Sequence, residues 1–235
     1  MGMLLEKLVL PASNTTYDKC LPYLIFVPRD DCHFVPVVHY IYDQSLPTLF
    51  IAHGNSSDLG SYDVQLMASK YQANICMFDY SGYGLHTNKS VSEEDCVKDA
   101  KSVYKYLEQN GIHDIVLYGY SIGSYVMIRL AHYLSKYNKC HKLVLVSAFK
   151  SIMHAGIFMS LPGDVFKSID YAPCIQCFTL ALHGNLDSFT DFNGGKELAT
   201  YFPNLYKFKP ICGYGHEKMM QSEEQYEEVK KFIYL

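Results

Sequence analysis

The sequence has no tryptophan and no run of the roughly 18 apolar residues that a transmembrane helix needs. It also has no basic excess. Its 24 acidic residues outnumber 20 basic ones, the formal net charge is -4, and nucleic acid is not expected as a partner. The phosphate-binding patterns G-x-x-x-x-G-K-[ST] and G-x-G-x-x-G do not occur, and metal-ligand spacing is lacking. We therefore expect no cofactor and no metal.

The eight cysteines are irregularly spaced, and a chain of 235 residues builds a core without disulfides. Cys174 and Cys177 form a lone C-x-x-C that leads into a strand rather than a helix, which is typical of two reduced thiols. The first residues, MGMLLEKLVLP, make a poor signal peptide because Glu6 and Lys7 interrupt the apolar run. A reduced, cytoplasmic protein is expected.

Apolar strand-like segments alternate with amphipathic helical ones from about residue 48 to the end, with no repeat or linker between them. This alternation predicts an α/β fold, namely a mostly parallel, doubly wound sheet of about eight strands with helices on both faces. Residues 23–28 and 34–42 are expected to add a leading antiparallel hairpin. We expect one domain over 1–235, with an N-terminal extension over 1–20. The predicted parallel strands are 48–53, 74–80, 114–120, 142–148, 177–183 and 205–211.

Two helices are indicated by apolar residues at i, i+3, i+4 and i+7 or at every fourth position. The first stripe is Ala100, Val103, Tyr104 and Leu107, and the second is Ile122, Val126, Leu130 and Leu134. A last helix is predicted to begin at Ser222 with Gln225 three residues on, a capping-box pattern, and to bury Tyr226, Val229 and Phe232. Ligands of such sheets bind beyond the carboxyl ends of the strands, so chemistry is expected at that edge.

A candidate nucleophile stands where a predicted strand runs directly into a predicted helix. Gly119-Tyr120-Ser121-Ile122-Gly123 matches G-x-S-x-G, in which a tight strand-to-helix turn presents the serine hydroxyl. Gly119 and Gly123 lack a Cβ and permit close approach of neighbouring elements. The pattern predicts Ser121 as nucleophile and the Ile122 N–H as one oxyanion donor.

The second oxyanion donor is expected in the loop after the third strand. That loop reads His53-Gly54-Asn55, in which Gly54 permits a sharp turn and the Asn55 N–H is the predicted donor. His53 is interpreted as a structural residue below the loop rather than as a ligand or a base.

The acid and the base should follow the serine in the order Asp, then His. Asp187 comes just past the strand that ends at 183, and His216 lies in a glycine-flanked loop, next to Gly215, after the last strand. Asp191 is the alternative acid, although its position ahead of a helix is typical of a cap. His183, at a strand end, is interpreted as a packing residue.

The segment 149–176 between two strands is short and predicts a small cap rather than a large lid. Two interpretations remain open for its apolar side chains: they line an acyl pocket, or they pack in the core. The candidate acyl-pocket residues are Met153, Ile157, Phe158 and Met159.

The motifs together resemble the α/β-hydrolase superfamily, and more narrowly the group of α/β-hydrolase-domain-containing protein 17 and the Bem46-like hydrolases. The segments that carry the resemblance are FIAHGNSSDLGSY (50–62), FDYSGYG (78–84), LYGYSIGS (117–124), LHGNLDSFTDF (182–192) and GYGH (213–216). The resemblance implies a cytosol-facing acyl-protein thioesterase that removes palmitate from membrane-associated proteins. Members of that group carry an S-acylated cysteine cluster near the N-terminus, whereas Cys20 is the one cysteine in the first thirty residues here, so peripheral membrane contact stays open.

The expected reaction is acyl transfer to Ser121 from a carboxylic ester or thioester with an apolar acyl group, followed by hydrolysis. The expected partner is an acylated substrate, either an S-acylated protein or a small ester; the oligomeric state is not indicated. The alternatives within enzymes are a small-molecule carboxylesterase, a monoacylglycerol lipase or a peptidase. From another class, the alternative is a non-catalytic binding protein of the same fold.

Overall fold

The computed structural model describes residues 15–89, 91–154 and 164–235. Eight strands form one sheet in the order β1-β2-β4-β3-β5-β6-β7-β8. The strands are β1 (Leu24–Pro28), β2 (Phe34–Tyr40), β3 (Thr48–Ala52), β4 (Asn74–Phe78), β5 (Ile115–Tyr120), β6 (Lys142–Val146), β7 (Phe178–Gly184) and β8 (Leu205–Ile211).

The pairings agree with the predicted mostly parallel sheet. The strands β3 to β8 pair in parallel, while β1 with β2 and β2 with β4 pair antiparallel, which confirms the leading hairpin. Each of the six predicted parallel strands is present, with ends that differ by two residues or fewer. The strands β3 and β4 are buried at every residue, as expected for strands that are covered on both faces.

Helices cover both faces of this sheet. The helices are α1 (Val64–Tyr71), α2 (Glu93–Gln109), α3 (Ile122–Ser135), α4 (Phe192–Ala199) and α5 (Glu223–Ile233). Side chains of α2, α3 and α4 belong to one buried apolar cluster, and those of α1 and α5 belong to a second. Alternate residues of β5 point into these two clusters: Leu117 lies in the first, and Val116 and Tyr118 lie in the second.

The last helix is capped as predicted, except for one side chain of the capping box. Ser222 accepts a hydrogen bond from the Gln225 N–H and so caps α5. The Gln225 side chain does not reach back to complete the predicted capping box. It is buried and instead bonds the hydroxyls of Tyr71 and Tyr118, which joins α5 to α1 and β5.

A buried ionic cluster fastens the end of β1 to α2. The Arg29 guanidinium lies 2.7 Å from Asp99 and 3.2 Å from Asp95. Asp99 is fully buried and also accepts hydrogen bonds from the Ser81 N–H at 2.7 Å and from His86 at 3.1 Å. The loop that follows β4 is thereby held against α2.

All eight cysteines lie in the described ranges, and none of them forms a disulfide. Within those same ranges, no helix has the length and apolarity that crossing a bilayer would require.

The ionic cluster predicts that substitution of two basic side chains, Arg29 and Lys105, has different effects on the free energy of unfolding. Arg29→Met leaves Asp99 buried without its cation and should lower the free energy of unfolding by about 3–5 kcal/mol. Lys105→Met breaks an ion pair with Asp30 in which both side chains are exposed, at 59% and 94%, and should cost under about 1 kcal/mol. Urea unfolding of the two variants measures the difference, and equal losses would contradict the structural role of Arg29.

Candidate active site

Ser121 stands alone between β5 and α3 in a strained backbone conformation. Its φ of 55° and ψ of -121° are values that residues other than glycine rarely adopt, at a cost of about 1–3 kcal/mol. The turn is fixed by hydrogen bonds from the Ser121 N–H to the Val146 carbonyl and from the Ser124 N–H to the Ser121 carbonyl, both 2.9 Å. This geometry is the strand-to-helix turn that the G-x-S-x-G pattern predicts.

Two glycines permit that turn because other backbone atoms approach them closely. A Cβ on Gly123 would lie 2.1 Å from the Ala52 carbonyl oxygen, and one on Gly119 would lie 2.5 Å from the Ser124 Cα. Neither position therefore accepts a side chain without moving β3 or α3.

His216 begins a short 3₁₀ turn (His216–Gln221) in the loop after β8. Its Nε2 lies 2.9 Å from the Ser121 hydroxyl oxygen, and its Nδ1 lies 2.8 Å from Asp187 Oδ2. Because a carboxylate only accepts, the Nδ1 carries the proton and Nε2 is free to accept one from the hydroxyl. The structure thus places the three side chains predicted from the sequence, Ser121, His216 and Asp187, in one series with each neighbouring pair at hydrogen-bond distance.

Asp187 is held by donors on several sides. Its Oδ1 accepts the N–H groups of Phe189 at 2.9 Å and Thr190 at 2.8 Å, and its Oδ2 accepts the Thr190 hydroxyl at 2.7 Å. Burial alone would raise the pKa of this carboxyl, but the hydrogen bonds from His183, His216 and the Thr190 N–H outweigh it and hold the pKa well below its usual range. Asp187 is therefore an anion at neutral pH.

The alternative acid has a different task. Asp191 accepts the N–H groups of Asn193 at 3.2 Å and Gly194 at 2.8 Å, so it caps the N-terminus of α4. Its carboxylate is engaged there, and Asp187 is the acid whose oxygen bonds His216.

His183 does more than the packing predicted for it. It is buried, and its Nε2 lies 3.2 Å from the Thr190 carbonyl oxygen and 3.4 Å from Asp187 Oδ2. The ring therefore supports the loop that carries the acid. The signal in the sequence was its position four residues before Asp187, at the end of the same strand.

Two aromatic rings that the sequence analysis did not single out lie against the His216 imidazole. The Tyr120 ring stacks on it at a centroid distance of 5.4 Å and an interplanar angle of 30°, and the Tyr120 hydroxyl donates to the His216 carbonyl at 2.9 Å. The Phe189 ring lies at the same distance, tilted by 33°. These contacts fix the orientation of the imidazole.

The loop after β3 approaches the serine closely. A Cβ on Gly54 would lie 2.8 Å from the Tyr120 ring and 3.7 Å from Ser121 Cβ, so Gly54 abuts the serine turn. The Asn55 side chain accepts the Tyr83 hydroxyl at 2.5 Å. The Ile122 N–H is the first of α3 and has no carbonyl of its own helix to bond.

Gly215, the glycine singled out in the His216 loop, does not have a backbone conformation that requires glycine. Gly215 has φ -94° and ψ 178°, an extended conformation that any residue adopts, although a Cβ there would lie 3.3 Å from the Leu186 carbonyl oxygen. The left-handed residue of this loop is Gly213, with φ 81°. Gly213 is therefore the glycine that lets the chain reverse after β8.

Of the four candidate acyl-pocket residues, Met153 is the one that lies within the described residues. Met153 is half-buried in a short 3₁₀ turn, Ile152–His154. Ile157, Phe158 and Met159 lie outside the described residues, so the cap remains a prediction. Apolar surface is present near the site in another loop, where Leu186 is 63% and Phe189 is 41% exposed.

No cluster of three or more His, Cys, Asp or Glu side chains suited to a metal ion occurs in the part of the chain that the structure describes.

Comparison with known proteins connects this geometry to a family. A family model described as the alpha/beta hydrolase fold matches residues 47–165, a span that includes Asn55 and Ser121. The chain is 31% identical over 199 residues to alpha/beta hydrolase domain-containing protein 17C of Mus musculus. It is also 31% identical over 198 residues to the Caenorhabditis elegans alpha/beta hydrolase domain-containing protein aho-3. Each alignment covers 79% of this chain, which spans 59% and 57% of those relatives' lengths.

Solved structures share the architecture at low sequence identity. The Pyrococcus furiosus esterase Pf2001 has a TM-score of 0.76 at 17% identity and covers 96% of this chain and 97% of its own. Est1E of Butyrivibrio proteoclasticus, solved with ferulic acid bound, has a TM-score of 0.70 at 15% identity, with coverages of 89% and 98%. These likenesses establish the fold.

The depressed pKa of Asp187 predicts how stability depends on pH. Folding favours its ionised form, so the stabilisation is complete above the unfolded pKa of about 3.8 and is lost as the pH falls below it. Wild type should therefore lose free energy of unfolding faster than Asp187→Asn as the pH is lowered from 5 to 3, about the range in which such a carboxylate titrates. Urea unfolding across that range measures the difference in free energy of unfolding between the two proteins. A difference that does not change with pH would show that folding does not lower the pKa of this carboxyl.

Proposed function

We propose that this chain, which belongs to the α/β-hydrolase-fold family, is a serine hydrolase that cleaves carboxylic esters or thioesters through an acyl-enzyme on Ser121. The observation that carries the proposal is the continuous hydrogen-bonded series from the Ser121 hydroxyl through His216 to Asp187, with links of 2.9 and 2.8 Å. A serine hydroxyl is a poor nucleophile until a neutral imidazole takes its proton, and this series supplies that imidazole in the required tautomer.

In the proposed reaction Ser121 Oγ attacks the acyl carbon while His216 Nε2 accepts its proton. Asp187 keeps the imidazole oriented and stabilises the positive charge that it gains. His216 then returns the proton to the leaving alcohol or thiol, which departs and leaves the acyl group on Ser121. A water, deprotonated by His216 in the same manner, hydrolyses the ester bond and regenerates the serine.

The negative charge on the carbonyl oxygen needs donors that are already in place. We assign this task to the N–H groups of Ile122 and Asn55. The Ile122 N–H belongs to the first turn of α3, whose dipole favours negative charge, and the loop of Asn55 abuts the serine turn through Gly54. Removal of one such donor typically costs about 10²–10³ in rate.

An apolar acyl group suits the surroundings of the triad. The exposed side chains of Leu186 and Phe189 follow β7 on the loop that carries Asp187, and the Phe189 ring lies against His216 itself. Contact with a fatty acyl chain would bury this surface at a gain of about 25 cal/mol per Å². Among such substrates we propose an S-acylated protein, as the resemblance to the protein 17 group implies. The rival proposal is that the enzyme is a small-molecule carboxylesterase. The likeness to solved esterases concerns the fold alone.

The first prediction from this proposal concerns covalent labelling. A fluorophosphonate probe should label wild type and should not label Ser121→Ala, because the probe reacts with an activated serine. Ser124→Ala is the matched control. Its hydroxyl lies in the same turn but donates to the Gly119 and Val146 carbonyls, so labelling should persist. Labelling of Ser121→Ala at the wild-type rate would refute the assigned nucleophile.

The second prediction concerns substrate class. Thioester and oxyester pairs that share an acyl group, with chains from two to sixteen carbons, separate the two candidates through kcat/KM. An acyl-protein thioesterase should prefer long chains and tolerate a peptide leaving group, and Leu186→Ser with Phe189→Ser should reduce the long-chain preference by about tenfold, since each buried methylene contributes roughly 0.8 kcal/mol. Preference for acetyl esters, unchanged in the double variant, would favour the small-molecule carboxylesterase.

A further inference from the structure

Another histidine–carboxylate pair lies buried beneath the loop that carries Asn55. His53 is the first residue after β3, and Asp79 is the first after β4, the neighbouring parallel strand. The side chains of both are fully buried, and His53 Nε2 lies 3.2 Å from Asp79 Oδ1. The reaction proposed above uses neither of them.

The partners of the His53 ring determine where its protons lie. Its Nδ1 is 2.8 Å from the carbonyl oxygen of Gly54, which only accepts, so Nδ1 must donate. Its Nε2 faces an oxygen of Asp79, which also accepts the Leu59 N–H at 3.0 Å, while the other oxygen accepts the Tyr17 hydroxyl. Both ring nitrogens therefore face oxygens that accept, and the contact with Asp79 holds the ring so that Nδ1 is aimed at the Gly54 carbonyl oxygen.

The Gly54 carbonyl belongs to the same peptide group as the Asn55 N–H. In a planar trans peptide the C=O and N–H point in opposite directions, so whatever holds the oxygen also sets the direction of the hydrogen. Two donors hold this oxygen, the His53 ring at 2.8 Å and the Ser57 hydroxyl at 3.0 Å. The preceding carbonyl, of His53 itself, accepts the Tyr80 hydroxyl at 2.5 Å.

We propose that Asp79 and His53 are positioning residues for the oxyanion hole: Asp79 holds the His53 ring in place through Nε2, and the Nδ1–H of that ring, with the Ser57 hydroxyl, holds the Gly54 carbonyl so that the Asn55 N–H points to the reacting oxygen. This inference rests on the proposed function. It assigns to Asp79 an indirect effect on the transition state, through His53 and the Gly54–Asn55 peptide. A donor that is misaligned rather than removed should cost less than the 10²–10³ typical of a deleted one.

The test uses four variants of the full chain and a substrate for which wild type shows Ser121-dependent turnover. In His53→Asn the amide nitrogen replaces Nδ1 at the same number of bonds from Cα, so a donor to Gly54 is retained, whereas His53→Leu removes it. Asp79→Asn replaces the carboxylate that faces Nε2 with a neutral amide of the same size and so weakens the contact that holds the ring. Ser57→Ala removes the second donor at a half-exposed position, where folding is least threatened.

We expect kcat to fall about 10–100-fold in His53→Leu and Asp79→Asn, with KM within about twofold, because the lost interaction is made in the transition state. His53→Asn should recover most of the loss, and Ser57→Ala should lose about three- to tenfold. The inhibition constant of an alkyl boronic acid, which forms a tetrahedral adduct on serine with an oxygen at the oxyanion position, should rise in proportion to the fall in kcat/KM.

Asp99→Asn is the matched control because Asp99 is also a buried carboxylate bonded to a buried histidine, His86, at 3.1 Å. It should lower the melting temperature and leave kcat within about twofold. If wild type turns over in a Ser121-dependent manner while His53→Leu, Asp79→Asn and Ser57→Ala all keep kcat and boronate affinity within about twofold, the positioning role is refuted and the proposed function stands. Loss of kcat without a parallel loss of boronate affinity refutes it as well.

Discussion

The one-residue turn at Ser121 is the constraint on which the rest of the site depends. A strand that must become a helix within one residue places that residue at φ 55°, and the strain is tolerated because α3 crosses the ends of β3 and β5 at backbone contact distance. The closeness requires glycine at 119 and 123. In return, the hydroxyl and the first free N–H of the helix emerge side by side at the edge of the sheet.

Histidine–carboxylate pairs recur at the same edge, the carboxyl ends of the parallel strands. His216 with Asp187 follows β8 and β7, while His53 with Asp79 follows β3 and β4. In each pair the carboxylate lies against one ring nitrogen and so fixes the direction in which the other nitrogen points. The first pair leaves a nitrogen free to take a proton from a hydroxyl, and the second is proposed to use its outer N–H on a backbone carbonyl.

Much of this arrangement was predictable, and the exceptions share a physical cause. Continuous apolar strands and the glycine-flanked serine are local signals, so β3 to β8 and the turn at Ser121 were found from the sequence. The helix α1 was missed although Val64, Met67, Ala68 and Tyr71 have helical spacing, because only two turns carry the pattern. Tyr120 and Asp79 contact residues that are distant in sequence, His216 and His53, and no spacing rule reveals such contacts. His183 does lie four residues before Asp187, but the contact between them depends on how the loop folds.

The most direct test of the central claim is to trap and locate the acyl group. After rapid acid quench of wild type with a slowly hydrolysed acyl ester, peptide mass spectrometry should find one acyl group, on Ser121, which decays at the rate of turnover. In His216→Asn the adduct should be absent, since the hydroxyl has lost its base. An acyl group on a cysteine or another serine, or turnover in which no adduct forms on Ser121, would contradict the account.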